Sequence, residues 1–243
     1  MHIHIYATPE QSGSDAAHLI ADRLNEAISK KGSARLVLST GASQFEMFDV
    51  LVTLPVDWSK VTMFHLDEYV ALPESHPASF RKYLKERFVN KVHPKEAIFV
   101  NGEGDVHANI AEITHRLREE EVDVGVIGIG ENGHIAFNDP PAEFETDAAY
   151  KVVDLDDRCK HQQVGEGWFE NEDAVPRQAI TMTVPQIMSA RCIVTVAPHA
   201  VKAEAIRNTL AQPVNNMVPA TILKTHPDWN LYLDAESAAG FCV

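Results

Sequence analysis

Short apolar runs alternate with amphipathic segments of helical length along almost the whole chain, and this alternation constrains the fold more than any other feature. The apolar runs lie at 2–7, 35–39, 61–66, 122–129, 179–184, 192–197 and 230–233, and helical segments fit 14–31, 78–89, 107–120 and 200–210. Repeated strand–helix units place successive strands in parallel, with the helices packed on the two faces of the sheet. We therefore predict an α/β protein with an open, mostly parallel, Rossmann-like sheet and helices on both faces.

One stretch of the chain, from about 139 to 178, departs from this pattern. It is rich in Pro, Gly and acidic residues and contains one strand-like piece near 150–155. A long aperiodic stretch inside a compact domain is often a lid or a binding loop. Because no linker or internal repeat divides the chain, we predict a single domain, 1–243, with an active-site lid at approximately 140–170 that becomes ordered when a ligand binds.

Charge and cysteine content limit the classes of partner. The chain carries 21 Lys and Arg against 35 Asp and Glu, a net charge of −14, and contains no basic run. This balance disfavours nucleic acid and anionic membrane surfaces as partners, and it requires a local positive site for any anionic substrate. The three cysteines match no metal-ligand spacing, and an odd number of them in a chain of this size is typical of reduced thiols in the cytoplasm. His2 and His4 are interpreted as surface histidines rather than as metal ligands.

Polar residues cluster after three of the predicted strands, where open α/β sheets bind ligands. In the first cluster, Ser43 and Glu46 match a capping box, which predicts a helix that begins near Ser43. The turn Thr40-Gly41-Ala42-Ser43 would then present free backbone N–H groups to a phosphate. An ordinary capped strand–helix turn uses the same residue types, so both interpretations stay open.

The other two clusters contain acidic residues and a histidine. Adjacent carboxylates at Asp67-Glu68 suit a general base in a partly desolvated cleft, although a solvated turn has the same composition. The third cluster contains Gly-x-Gly-x-x-Gly at 128–133, but a dinucleotide site needs its last glycine to lead into a helix. Because Pro140-Pro141 prevents a helix in that register, we reject a nicotinamide-binding site here.

Together these segments resemble the glucosamine-6-phosphate deaminase/isomerase family. The resemblance is carried by Thr40-Gly41-Ala42-Ser43, Leu66-Asp67-Glu68-Tyr69 and Gly128-x-Gly-x-Asn132-Gly-His134-Ile-Ala-Phe-Asn-Asp139-Pro. It continues in Val175-Pro176, Ala179-Ile180-Thr181-Met182-Thr183, Lys202-Ala203-Glu204-Ala205 and Pro219-Ala220-Thr221-Ile222-Leu223. The related 6-phosphogluconolactonases share the fold and a Gly-His motif but do not typically continue it as Ile-Ala-Phe-Asn-acid-Pro.

The resemblance implies a chemistry that suits these residue types. The family opens the pyranose ring of glucosamine 6-phosphate, moves a proton between C2 and C1, and releases ammonia to give fructose 6-phosphate, without a metal or an organic cofactor. His134 would handle the ring-oxygen proton with support from Asp139, and Asp67 would take the C2 proton. Triosephosphate isomerase solves a similar proton shift with a carboxylate and a histidine.

The resemblance also assigns the other site residues. The phosphate would bind at Thr40, Gly41, Ala42 and Ser43, with Lys202 as counter-charge. The substrate would also be contacted by Glu68, Gly133 and Arg158. Asn132 would join the catalytic group. Three positions depart from the family pattern. Asn132 stands where many members have Asp, and Asp139 replaces the usual Glu, which shortens its reach. The arginine expected near 166–168 is absent, so that Arg158 or Lys160 would have to replace it.

These departures surround the sugar, so alternative functions stay open. They are a deaminase of another hexosamine 6-phosphate such as galactosamine 6-phosphate, a 6-phosphogluconolactonase-type hydrolase, and a non-catalytic sugar-phosphate-binding module. We expect a monomer or a small homo-oligomer. Because Asp67 and His134 are expected at strand ends rather than in the core, we also expect their substitution to change stability little.

Overall fold

The computed structural model describes residues 1–155, 157–165 and 167–240, without the side chains of 157–159 and 162. The strands are β1 (His2–Tyr6), β2 (Ala34–Leu38), β3 (Val61–His65), β4 (Asp67–Tyr69), β5 (Glu96–Ala97), β6 (Val124–Val126), β7 (Tyr150–Asp154), β8 (Gln178–Met182), β9 (Cys192–Val196) and β10 (Trp229–Asp234). Seven of them form one sheet in the order β1-β10-β9-β6-β2-β3-β5, and all neighbours in it run parallel. The prediction of an open, mostly parallel α/β sheet is confirmed.

A second, antiparallel sheet of three strands has the order β4-β8-β7. Sequence reasoning placed 179–184 among the parallel strands, and this placement is wrong, because β8 pairs antiparallel with both β4 and β7. Hydrophobic periodicity identifies a strand but does not specify its partner. The strand-like piece near 150–155 is β7, so that part of the predicted lid belongs to this sheet.

The helices are α1 (Pro9–Lys31), α2 (Phe45–Leu51), α3 (Phe80–Leu84), α4 (Asn90–Val92), α5 (Val106–Arg118), α6 (Asp157–Gly165), α7 (Val184–Met188) and α8 (Ala203–Ala211), and a π-helical turn, Lys85–Val89, joins α3 to α4. Helix α1 begins five residues before the predicted start at 14. The Thr8 side chain accepts a hydrogen bond from the Gln11 N–H, Pro9 occupies the first turn, and Gly32 ends the helix in the left-handed conformation.

None of the helices in the described ranges is long and apolar enough to cross a membrane.

Two apolar cores lie on opposite faces of the parallel sheet. Alternate residues of β2 show this division, since Leu36 and Leu38 belong to the core that includes residues of α1 and α2, whereas Val37 belongs to the core that includes residues of α5 and α8. The five residues of β2 are all buried, as expected for a parallel strand covered on both sides. With both faces covered, the loops at the strand ends are the part of the sheet left to bind a ligand.

Candidate active site

A cavity of about 370 Å³ lies among the loops that follow the parallel strands. The order of the strands reverses at this point, because the sheet continues from β2 through β3 on one side and through β6 on the other. Ligands bind at such switch points in open α/β sheets. The lining includes Ser39, Thr40, Gly41, Ala42, Ser43, Asp67, Phe80, Tyr83, Gly130, His134, Phe137, Gln163, Trp168, His199 and Lys202.

The turn after β2 presents the predicted phosphate-binding residues to this cavity. All four residues of the turn, 40–43, line it, and Lys202 reaches it from the turn after β9. Gly41 has φ 105° and ψ 166°, a conformation that glycine adopts readily and other residues avoid. The Tyr83 hydroxyl donates a hydrogen bond of 2.8 Å to the Gly41 carbonyl and so supports the turn from the opposite segment.

The predicted capping box at Ser43 and Glu46 is wrong. A 3-10 turn, Ala42–Gln44, precedes α2, which begins at Phe45, and neither this turn nor α2 has a side-chain cap. The Ser43 Oγ accepts a hydrogen bond of 2.9 Å from Gln44 Nε2, while Glu46 Oε1 lies 3.7 Å from His199 Nε2. Because the extra turn moves the start of the helix downstream, the two side chains face different partners.

Asp67 lies where the chain crosses from the parallel sheet to the antiparallel one. Its carboxylate lines the cavity, although the residue is only 7% exposed, and no hydrogen bond to it occurs among the described residues. Burial, and then the negative charge of Glu68, raise the pKa of Asp67 to about 8. A carboxyl group with this pKa titrates near neutral pH, which is the range useful to a general base.

Glu68 faces away from the cavity, because successive side chains of a strand point to opposite sides. It is fully buried, and its carboxylate accepts hydrogen bonds from the Ser79 hydroxyl at 2.8 Å and the Arg81 Nε at 3.2 Å. The backbone N–H groups of Phe80 and Arg81 also donate to it. The predicted contact of Glu68 with substrate does not fit this geometry. Glu68 instead holds the segment that carries Phe80 and Tyr83 to the cavity wall.

The loop after β6 holds His134 against Asp139. The His134 Nδ1 lies 3.2 Å from Asp139 Oδ1, in a close contact that is not aligned with the ring N–H. Asn132 joins both residues, since its Oδ1 accepts a hydrogen bond of 2.9 Å from the backbone N–H of His134 and its Nδ2 donates one of 3.1 Å to the Asp139 carboxylate. The shorter Asp139 therefore still reaches His134. Burial would raise the pKa of Asp139, but the adjacent His134 ring and the Asn132 amide lower it overall.

The loop itself is secured by residues that the sequence analysis did not single out. Asn138 Nδ2 donates hydrogen bonds of 2.9 Å to the carbonyls of Ile135 and Met182, which ties the loop to β8. Asn132, Gly133 and Asp139 do not line the cavity, and Asn132 and Asp139 contact His134 from outside it. No helix follows Gly133 in this loop, in agreement with the rejection of a dinucleotide site.

Part of the segment predicted to form a lid lines the cavity. Gln163 of α6 and Trp168 line it, and the Tyr69 hydroxyl donates a hydrogen bond of 2.6 Å to Gln163 Oε1. The Phe169 ring packs against that of Tyr69 at a centroid distance of 5.5 Å. The predicted substrate contact of Arg158 lies outside the described side chains. Ordering of 140–170 on ligand binding stays a prediction.

Several cavity residues were missed by sequence reasoning. They are Ser39, Phe80, Tyr83, Phe137, Gln163, Trp168 and His199. Most lie in segments without a motif. Ser79 caps α3, since its side chain accepts a hydrogen bond from the Lys82 N–H, and this cap could have located the start of the helix but not its place at the cavity. Among the described residues, His199, Asp234 and Glu236 have ligand atoms within 4.8 Å of one another and could hold a metal ion. The Asp234 carboxylate already accepts hydrogen bonds from the His199 and Ser237 backbone N–H groups.

The comparison with known families agrees with this geometry. A family model described as glucosamine-6-phosphate isomerases/6-phosphogluconolactonase matches residues 7–231. The chain belongs to this family. The match includes the turn after β2, the Asp67 crossing and the His134 loop, so the cavity as a whole lies within the part of the chain that the family model covers.

Relatives in the glucosamine-6-phosphate isomerase/6-phosphogluconolactonase family cover most of the chain. A glucosamine-6-phosphate deaminase of Listeria monocytogenes is 38% identical over 205 residues, 84% of this chain and 86% of the relative. One of Streptococcus pneumoniae is 34% identical over 228 residues, 93% of this chain and 94% of the relative. A solved monomeric glucosamine-6-phosphate deaminase superposes with a TM-score of 0.90 at 28% identity, over 98% of this chain and 99% of that one.

The lactonase branch of the family shares the fold. A 6-phosphogluconolactonase of Shewanella baltica superposes with a TM-score of 0.79 at 21% identity, over 97% of this chain and 98% of that one. At this identity the likeness concerns the fold alone, and the residues of the cavity must decide between the two chemistries.

Proposed function

We propose that this protein converts glucosamine 6-phosphate and water into fructose 6-phosphate and ammonia. The observation that carries the proposal is the pairing of Asp67, a buried carboxyl group with a raised pKa, and His134, backed by Asp139, on the walls of one cavity. The relatives named glucosamine-6-phosphate deaminase, at 34–38% identity, support the same reaction.

His134 acts first, at the ring oxygen. Opening the pyranose ring requires a proton to move from the C1 hydroxyl and another to reach the ring oxygen, and an imidazole can accept and donate protons near neutral pH. The Asp139 carboxylate lies 3.2 Å from Nδ1 and supports the imidazole ring from outside the cavity. Asn132 keeps the two residues in this arrangement, because its side chain bonds to the Asp139 carboxylate and to the backbone N–H of His134.

Asp67 then takes the proton from C2 of the open-chain sugar and returns it to C1. The carbon at C2 becomes an imine, water adds to it, and ammonia leaves, so that the ketone of fructose 6-phosphate forms. A carboxylate base becomes stronger when its pKa is raised, and burial with Glu68 nearby has this effect on Asp67. The ammonium group of the substrate also favours the ionised carboxylate when it enters the cavity.

The phosphate is placed at the turn after β2. The hydroxyl groups of Thr40 and Ser43 line the cavity there, and Lys202 contributes a positive charge from the turn after β9. With a net charge of −14, the protein does not attract an anionic sugar phosphate over long distances. Local hydrogen-bond donors and one nearby cation therefore provide the binding energy for the phosphate.

An ammonia-release assay on the purified protein tests the proposal. Glucosamine 6-phosphate should yield equal amounts of ammonia and fructose 6-phosphate, and faster turnover of galactosamine 6-phosphate would instead assign the deaminase to that hexosamine phosphate. Hydrolysis of 6-phosphogluconolactone without release of ammonia would instead assign the lactonase activity, and binding without turnover would assign a sugar-phosphate sensor. We include in the proposal a cytoplasmic location, no role for nucleic acid, and a monomer or small homo-oligomer.

A further inference from the structure

Gln44 is fully buried behind the turn after β2 and does not line the cavity. Its amide nitrogen donates two hydrogen bonds, one of 2.9 Å to the Ser43 Oγ and one of 3.1 Å to the carbonyl of Val196 at the end of β9. One side chain thus connects the predicted phosphate turn to a neighbouring strand of the parallel sheet.

Chemistry determines the orientation of this amide. A backbone carbonyl only accepts hydrogen bonds, so the nitrogen of Gln44 rather than its oxygen must face Val196. The second hydrogen of that nitrogen then points to the Ser43 Oγ, which acts as an acceptor. The amide oxygen is buried and has no partner among the described residues.

This arrangement has a consequence for Ser43. A hydroxyl group has one hydrogen to donate. The Ser43 hydroxyl is the acceptor in its bond with the Gln44 amide, so this bond does not use the hydroxyl hydrogen. The described residues offer no acceptor bonded to this hydroxyl, and Ser43 lines the cavity. The hydrogen is therefore available to an anion in the cavity, and a phosphate oxygen is an acceptor without hydrogens of its own when ionised.

We propose that Gln44 is a positioning residue that makes the Ser43 hydroxyl an obligate donor to the substrate phosphate. The inference rests on the proposed function only in placing a phosphate at the turn 40–43. Gln44 acts through Ser43 and does not touch the ligand. Removing the amide frees Ser43 to rotate and to donate its hydrogen elsewhere, so the phosphate loses a preorganised donor.

A double-mutant cycle on the full chain tests this proposal, with inorganic phosphate as the probe. The variants are Ser43→Ala, Gln44→Met and the double variant, and the readouts are calorimetric binding of phosphate and KM and kcat for glucosamine 6-phosphate. Ser43→Ala and Gln44→Met should each weaken phosphate binding and raise KM by roughly tenfold, with a smaller effect on kcat. The double variant should bind phosphate as Ser43→Ala does, because Gln44 has no route to the ligand without Ser43.

Gln186→Met is a matched control. Gln186 lies on α7, outside the cavity lining, and its amide donates a hydrogen bond of 2.9 Å to the Ser189 Oγ just after the helix, so this variant should keep the affinity for phosphate. If Gln44 has a purely structural role, the losses of phosphate affinity in Gln44→Met and Ser43→Ala should multiply in the double variant, and this result would overturn the proposal.

Two further results separate the possible failures. If Ser43→Ala leaves phosphate binding unchanged, the inference fails whether or not the Gln44 variants fold. If phosphate binding follows the expected cycle but no ammonia is released, the inference stands and the proposed deaminase activity fails. Calorimetry makes this separation possible because it does not depend on turnover.

Discussion

Gly130 lies directly against the imidazole ring of His134. A β-carbon built on Gly130 would lie 2.2 Å from His134 Cε1 and 2.3 Å from Nε2, well inside the van der Waals contact distance of non-bonded atoms. The Gly130 N–H also donates a hydrogen bond of 2.9 Å to the His134 carbonyl. A residue other than glycine at this position would therefore have to displace the ring from its place in the cavity.

Gly130→Ala should lower kcat by about a hundredfold, the usual contribution of a positioned acid or base, because the imidazole must rotate away from the ring oxygen. Gly128→Ala is the control, since its β-carbon would meet only the Gln44 Nε2, at 3.6 Å. Steady-state kinetics of both variants, with circular dichroism to verify the fold, checks the prediction. Equal kcat values for the two variants would show that the position of the His134 ring is not required.

Asp67→Asn should lower kcat by about a hundredfold or more, because the amide cannot accept the C2 proton.

Asp67→Asn should also raise the melting temperature at pH 8 by a few degrees. The folded-state pKa of about 8 lies above the ordinary 3.8, so ionising Asp67 costs stability progressively between about pH 4 and pH 8. The neutral amide avoids this cost, and the gain should disappear near pH 4 in thermal unfolding. The expectation from sequence of little change in stability does not fit the burial of Asp67.

The pH dependence of kcat/KM should show an ascending limb with a midpoint near 8. The base must be ionised in the free enzyme, and Asp67 loses its proton as the pH rises through about 8. Because the charge of Glu68 is the second cause of this shift, Glu68→Gln should move the midpoint to lower pH. Profiles of both proteins measured in one buffer series test the assignment, and an unchanged midpoint in Glu68→Gln would assign the limb to another group.

Glu68→Gln should lower the free energy of unfolding by about 3 kcal/mol, as expected when a buried ion pair loses one partner. The pair in question joins Glu68 to Arg81, whose side chain is 6% exposed and whose remaining carboxylate partner is Glu103. Glu74→Gln, which removes an exposed ion pair with Lys85, should cost less than about 1 kcal/mol. Urea unfolding of the two variants gives the comparison. A large increase in KM without loss of stability in Glu68→Gln would indicate instead that Glu68 contacts substrate.

Lys202→Ala should mainly raise KM for glucosamine 6-phosphate, by about tenfold, because a phosphate contact acts in the ground state and the transition state alike. Unphosphorylated glucosamine should be a poor substrate for the wild type and the variant equally. Lys60→Ala, which removes an exposed ion pair with Asp57, is the surface control. Initial-rate kinetics with both substrates provides the test, and an unchanged KM in Lys202→Ala would remove this residue from the phosphate site.

Sequence by itself determined the fold class and the location of the site. The spacing of apolar residues is set by which faces of a helix or strand are buried, so the parallel sheet and its helices could be predicted from periodicity. Because the ends of parallel strands lie at one edge, the segments around Thr40, Asp67 and His134 could be expected to meet, and all three line the cavity.

Only the tertiary structure decided the different roles of Asp67 and Glu68. The two adjacent carboxylates are equivalent in the sequence, but they point to opposite sides of β4, one into the cavity and the other to Arg81. Other contacts likewise join residues far apart in the chain. They are the pairing of β8 with β4, the hydrogen bond from Tyr69 to Gln163 and the hydrogen bond from Gln44 to Val196. Such contacts depend on how the elements pack in three dimensions, and local periodicity carries no information about them.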